Sequence, residues 1–296
     1  MDGTRGLMWA LVLVWGTAFV SIKVLGEVLT PLELTWFRYV PFLLIFAVWL
    51  ALRRRDRFAQ LSGSDWIRYA IAGALGVLGY HLPLNFATSS LAGGTPITGG
   101  MAAILVATTP LWTLFYLALG GQRPRRRVVM GAAIAFFGVA LVVYGRPGTG
   151  TGGLWKALVG LLAPILWSGY NIVAKPLADR HGSLFTAGLT NGLGTLMLLP
   201  AGLSFGTEPL MDFEARHWFW LAYLSLAATV GGYILWNNGL KKLGPAQVTA
   251  YIFAIPVVAT AAGAWLIAEP VTLWFLVGAG LVLYGLWQVQ RKEQSA

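Results

Sequence analysis

The sequence predicts an all-α polytopic membrane protein: ten transmembrane helices arranged as two inverted five-helix repeats. Three observations carry that prediction. The 296-residue chain is 57% hydrophobic and only 11% charged, where a soluble domain carries about 25% charged residues. With a mean hydropathy of +0.69, it has little surface to turn toward water. Apolar runs of helix length alternate with short basic loops from end to end. The third observation is a repeat. In GLLAPILWSGYNIVAKP, residues 160–176, Trp167, Asn171 and Lys175 fall at i, i+4 and i+8, on one helix face. VWGTAFVSIK places Trp15, Phe19 and Lys23 at the same spacing in the first part of the chain.

The same composition excludes several function classes. A net charge of +10 would suit nucleic acid, but the basic residues lie in short blocks between apolar runs, so no nucleic-acid partner is expected. The chain has no cysteine, which removes thiol catalysis, disulfides and thiolate metal sites. Its three histidines, His81, His181 and His217, show no spacing to carboxylates that would hold a metal. No phosphate-binding glycine loop is present, so ATP-driven transport is not expected, and neither is any cofactor.

The first apolar run, Gly6 to Val24 behind Arg5, is too long for a signal-peptide core, and no cleavage site precedes Lys23. It is expected to stay as a span. The ten expected spans are 6–25, 32–52, 66–87, 96–119, 127–145, 153–175, 183–203, 217–239, 245–267 and 271–289. SSLAGGT separates the third from the fourth, and Ala268-Glu269-Pro270 the ninth from the tenth. With the N-terminus inside, the cytoplasmic loops collect most of the basic residues: Arg53, Arg54, Arg55, Arg57 and Arg68, then Arg123, Arg125, Arg126 and Arg127, then Lys175, Arg180, Lys241 and Lys242. Glu208, Asp212 and Glu214 fall outside. Both termini are therefore expected in the cytoplasm, in a multi-pass protein of the cell's inner (plasma) membrane.

The repeat covers the whole chain. GYHLPLN (79–85) aligns with GYILWNN (232–238), Thr109-Pro110 with Ile255-Pro256, and Gly131 and Gly138 with Gly278 and Gly285. The halves are expected at 1–150 and 151–296. Five spans is an odd number, so the two halves must insert in opposite senses, an arrangement found in secondary transporters.

These residues carry a resemblance. The chain resembles the EamA-type members of the drug/metabolite transporter superfamily through W-G-x-x-F-x-x-x-K at Trp15–Lys23, an arginine in span two (Arg38) and the mid-span prolines. Ala268-Glu269-Pro270 before a glycine-rich last span (Gly278, Gly280, Gly285) adds to it. Within that family it looks most like the YddG-type aromatic amino-acid exporters. Such repeats commonly place a glutamate at the start of both final spans. Here the first copy has Arg123-Pro124, which puts a symmetric role for Glu269 in doubt.

Polar groups inside a bilayer face a cavity or a partner helix. On that basis the candidate cavity-lining, substrate-binding residues are Tyr80, His81 and Asn85 in span three, Thr98 and Trp112 in span four, and Trp167, Tyr170 and Asn171 in span six. Tyr233, Trp236 and Asn237 in span eight and Tyr251 in span nine complete the set. His81 is also the candidate for proton coupling, since histidine changes charge near neutral pH. Pro83, Pro110 and Pro256 are candidate kinks or gates. For every one of these the plainer alternative is helix packing or an interfacial aromatic belt. Lys23, Arg38, Lys175 and Glu269 read more simply as span-end residues that snorkel, with Glu27 or Glu33 pairing a base, although a substrate carboxylate could meet one of them. Small residues crowd spans four and nine, and spans three and four are expected to move against eight and nine. No catalytic residue is expected.

The function expected is secondary transport: export of small organic metabolites, with amino acids including aromatic and neutral ones as substrates, by alternating access. The partners are then the small-molecule substrate and membrane lipids. The alternatives are export of another metabolite or drug class, a membrane enzyme, and a lipid scramblase. An enzyme would need acids, bases or a nucleophile converging at one depth, and His81 has no carboxylate partner evident in the sequence.

Overall fold

The computed structural model describes residues 3–53, 55–93, 99–122, 124–144, 154–267 and 273–290. Thr98, Arg123 and the Ala268-Glu269-Pro270 turn lie outside them. Among the described residues the regular structure is helical throughout. In the first half, α1 (Gly3–Leu25) and α2 (Pro31–Arg53) are continuous. The third span is built from α3 (Gly63–Gly73), a π-helical stretch over Ala74–Gly79, and α4 (Tyr80–Thr88). The fourth is α5 (Gly99–Ala107) and α6 (Thr109–Leu119), and α7 (Arg126–Tyr144) follows.

The second half repeats this plan. It begins with α8 (Leu154–His181), α9 (Ser183–Met197) and the short α10 (Leu199–Gly202). After the surface turn α11 (Glu208–Met211), the eighth span is α12 (Ala215–Ala222), a π-helical stretch over Tyr223–Gly231, and α13 (Gly232–Leu243). The ninth is α14 (Pro245–Thr249), a 3₁₀ turn over Ala250–Ala254 and α15 (Ile255–Ile267), and α16 (Leu273–Gln290) closes the order.

Among the described residues helix lies within each expected span. Six stretches are long and apolar enough to cross a membrane: Gly3–Leu25, Pro31–Leu52, Gly63–Thr88, Leu158–His181, Ala215–Leu243 and Pro245–Leu266. Leu105–Leu119 and Leu276–Val289 are apolar but shorter. One boundary moves clearly. The sixth span was expected to end at Lys175, yet α8 runs through Pro176 to His181. Lys175 and Asp179 form an i,i+4 ion pair at 2.5 Å across that last turn, and Gly182, at φ 87°, ends the helix.

The helices pack in pairs that survive exchange of the halves. Helix α1 packs on α13 and α15, and α8 packs on α4 and α6. Helix α2 lies against the π stretch of span eight, and α9 against that of span three. Helices α2 and α9 touch, and so do α7 and α16. The opening helix of each half is therefore seated on the third and fourth spans, or their counterparts, of the other. At α7–α16 the matched glycines explain themselves. A Cβ at Gly138 would stand 2.7 Å from the Gly278 carbonyl, and one at Gly285 would stand 2.5 Å from that of Gly131. Only glycine permits this backbone approach.

The backbone irregularities are paid across the interface between halves. A π-helical turn displaces carbonyls from the regular ladder, and an unpaired carbonyl in an apolar medium is costly. The Gly76 carbonyl in span three accepts from Tyr233 Oη at 2.8 Å, and the Ala228 carbonyl in span eight accepts from Trp15 Nε1 at 2.9 Å. Each half thus supplies the donor for the other's irregularity. The prolines are served locally. Thr109 Oγ1 donates to the Val106 carbonyl that Pro110 cannot reach, at 2.6 Å. The Ile255 N–H donates to the Ile252 carbonyl that Pro256 leaves open. Large apolar side chains remain on the outside, among them Leu44, Val48 and Leu52 on α2, Phe137 on α7, Trp265 on α15 and Leu276 on α16. Polar ones, including Arg38, His81, Asn85, Asn171 and Asn237, are buried. That distribution belongs to a multi-pass membrane protein.

Candidate functional site

A cavity of about 50 Å³ lies where the halves meet, room for a few waters at roughly 10–15 Å³ each. Helix α1 lines it with Trp15, Ala18, Phe19 and Ile22, spaced i, i+3, i+4 and i+7 along one face. Helix α4 contributes Tyr80, His81 and Leu84, α8 contributes Trp167, and α13 contributes Tyr233. Arg38 enters from α2, and Val106, Ile252 and Ile255 complete an apolar side. Trp15 and Trp167 are repeat partners, as are Tyr80 and Tyr233 in the GY pairs. The wall is thus built from two repeat-related aromatic pairs facing one centre.

Trp167 is the hub. Its ring stacks on Tyr170 at 4.7 Å and meets Tyr80 at 5.0 Å, Tyr233 at 5.5 Å, Trp236 at 5.6 Å and Trp15 at 5.9 Å. Offset and edge contacts of this kind add attraction beyond area burial. Tyr233 donates to Gly76, so the 2.9 Å contact between Tyr39 Oη and Tyr233 Oη has Tyr39 as donor.

Beside this cluster stands the one charged group on the wall among the described residues. Arg38 is 5% exposed. Its Nε donates to Thr229 Oγ1 at 2.7 Å, and its Nη1 lies 3.3 Å from His81 Nδ1. Arginine has only donors, so His81 Nδ1 is the acceptor and the ring proton sits on Nε2. The His81 ring is clasped edge-on by Tyr80 and Tyr39.

The residues expected at the site divide into two layers. Tyr80, His81, Trp167 and Tyr233 are on the cavity wall. Asn85, Tyr170, Asn171, Trp236 and Asn237 lie behind it, occupied with other helices. Asn85 Nδ2 donates to Thr35 Oγ1 at 3.0 Å. Asn171 Oδ1 accepts from Trp236 Nε1 at 2.8 Å. Asn237 Nδ2 donates to Tyr170 Oη at 2.8 Å and to the Tyr233 carbonyl at 2.9 Å. Trp112 is turned to Thr108 Oγ1 at 3.1 Å, and Tyr251 is buried edge-on against Trp9; neither lines this cavity. Thr98 and Glu269 fall outside the described residues.

The expectation for Arg38 is corrected. It does not snorkel from a span end, and neither Glu27 nor Glu33 pairs with it. Glu33 instead accepts from the backbone N–H and hydroxyl of Thr30 at its own helix start. Arg38 sits two turns inside α2, and its depth in the span was the signal available. Lys23 is exposed and Lys175 pairs with Asp179. The apolar wall residues carried no signal, because in a membrane protein an apolar side chain suits lipid, core and cavity alike.

Known proteins with similar sequences are transporters. A "Probable terminal-alkyne amino-acid exporter" of Streptantibioticus cattleyicolor is 29% identical, over 96% of this chain and 93% of its own length. A "Probable amino-acid metabolite efflux pump" of Salmonella typhimurium is 25% identical, over 97% and 93%. An "Uncharacterized inner membrane transporter YedA" of Escherichia coli is 24% identical, over 95% and 88%. The EamA-like transporter family matches twice, at residues 4–144 and 154–289, once for each half of the repeat. The chain therefore belongs to the EamA-like transporter family of the drug/metabolite transporter superfamily, and is a transporter rather than an enzyme.

Proposed function

We propose that this protein exports amino acids, including aromatic and bulky neutral ones, across the inner membrane as a secondary transporter working by alternating access. The observation that carries the reading is the cavity between the halves, walled by two repeat-related aromatic pairs beside a buried Arg38–His81 pair. Aromatic rings bind a flat or bulky apolar side chain, and the polar pair suits a backbone group. Relatives named as amino-acid exporters support the substrate class, and the inner-membrane relative supports the location.

In this reading the ten helical stretches are ten spans, forming inverted repeats over 1–150 and 151–296 with both termini in the cytoplasm. The cavity residues of α1, α2 and α4 then belong to the outer halves of their spans. Asp65, Arg180 and His181, where α3 begins and α8 ends, close the cytoplasmic side. Transport is a rocking of spans three and four against eight and nine, with the π stretches and Pro83, Pro110 and Pro256 absorbing the bend. Tyr80, His81, Trp167 and Tyr233 contact the substrate, while Asn171, Tyr170, Trp236 and Asn237 hold those contacts in place.

The test is exchange of labelled amino acids in proteoliposomes. The protein accelerates exchange, Trp167→Ala slows it by about tenfold or more, equivalent to about 1.4 kcal/mol of barrier, and Asn171→Ala slows it with normal expression. Absence of flux for every amino acid would overturn the substrate class. Unchanged rates in both variants would move the site elsewhere.

A further inference from the structure

We infer that Arg38, held by Thr229 and His81, is the carboxylate-recognition group of the cavity, and that its ligand is a single carboxylate attached to an aromatic or bulky apolar body. The inference rests on the transport reading and narrows its substrate class.

An arginine keeps its charge, and a lone cation inside a membrane protein is costly unless paired. The partners Arg38 has are neutral: a hydroxyl, an imidazole nitrogen and, at 5.6 Å, the Tyr39 ring. Among the described residues no carboxylate forms an ion pair with it. Among the described acids, Glu33 is committed to Thr30, Asp65 to Ser62 and Arg180, Asp179 to Lys175, and Glu214 to Arg216. An anion is therefore the component that completes this site.

The geometry says which anion. Thr229 and His81 fix Nε and Nη1, and so fix the plane of the guanidinium. Nη2 has no hydrogen-bond partner among the described residues, on a side chain that forms part of the cavity wall. A guanidinium held in plane with Nη2 free to donate suits a carboxylate oxygen. Among the described residues no second cation stands on the wall, so a dicarboxylate or a phosphate would leave charge unmatched. The rest of the surface is aromatic and aliphatic, with Trp15, Tyr80, Trp167, Ile252 and Ile255 among its residues, and receives an apolar body. Among the described residues the wall carries no acid either, so an ammonium group, where the ligand has one, rests on ring faces. His81 aligns with Ile234 in the other half, so this polar corner exists once and gives the ligand a single orientation.

Four probes of similar size decide the matter: L-phenylalanine, 3-phenylpropionate, L-phenylalanine amide and 2-phenylethylamine. Each is measured as a competitor of labelled phenylalanine exchange in proteoliposomes and as a stabiliser of the purified protein in thermal unfolding. The two carboxylates are expected to compete and stabilise, with the amide and the amine weaker by about tenfold or more. In Arg38→Gln that gap closes, and in Arg38→Lys part of it remains. The wild-type comparison needs no variant, so an Arg38 variant that fails to fold leaves the test intact.

Equal binding of acid and amide by the wild type overturns the assignment, as does a folded Arg38→Gln that keeps the gap. In both cases amino-acid exchange itself can stand. Stabilisation by 3-phenylpropionate with no amino-acid exchange upholds the carboxylate site and overturns the amino-acid reading. No response to any of the four overturns the carboxylate site.

Discussion

Tyr233 shows how one side chain can serve fold and site together. Its ring is part of the cavity wall, while its hydroxyl donates to Gly76 and accepts from Tyr39. Tyr233→Phe keeps the ring and removes the bridge, leaving a carbonyl unpaired in an apolar interior. We expect a loss of about 1–3 kcal/mol of stability, measured by unfolding in detergent, with the KM for substrate held. A loss of affinity larger than the loss of stability would mean that the hydroxyl meets the ligand. Tyr80, His81, Trp167 and Tyr233 were legible in the sequence because spacing and repetition singled them out. The division of the amides was not. Asn171 and Asn237 share faces with Trp167 and Tyr233, but helical periodicity does not say how deep a face is buried. Only the packing of α8 against α13 turns Asn171 toward Trp236 and Asn237 toward Tyr170.

Among the elements, proline and glycine were readable as punctuation, while their consequences were set by partners. Pro110 and Pro256 stand in the first turns of α6 and α15, where spans four and nine break. The π-helical stretches were not foreseen. ALGVLG and YLSLAATVG look like ordinary apolar helix, and their altered turns persist because donors from the other half satisfy them. The seven-residue glycine spacing was visible in both halves, but the sequence did not reveal that one pair meets the other. That contact gives a graded prediction. Gly138→Leu forces α7 away from α16 and costs about 1–3 kcal/mol in thermal or denaturant unfolding. Gly280, two residues beyond Gly278 on α16, has nothing within 4 Å of an added Cβ. Gly280→Ala should therefore leave stability unchanged or raise it by about 0.4–1 kcal/mol. Equal effects at the two sites would mean that α7 and α16 do not meet backbone to backbone.

For the whole molecule, the exchange symmetry of helix contacts and the loop charges point to one arrangement. If the halves are inverted, the ends of α3 and α8 that meet at Asp65, Arg180 and His181 lie in the cytoplasm, and the turn at α11 lies outside. The chain has no cysteine, so single-cysteine reporters can be read without background. In intact cells a membrane-impermeant maleimide should label Thr207→Cys, and should label Ser64→Cys only after permeabilisation; the reverse pattern would invert the topology. The same chemistry tests the closed side. Asp65 draws Arg180 at 3.3 Å and His181 at 3.7 Å from the other half. Behind them Thr186 is fully buried, its hydroxyl 3.4 Å from Tyr69 Oη. If this clasp holds the cytoplasmic side shut, Thr186→Cys should react slowly in permeabilised cells, and adding Asp65→Asn should speed the reaction. Reactivity at Thr186→Cys that ignores Asp65 would place the closing contact elsewhere along α3 and α8.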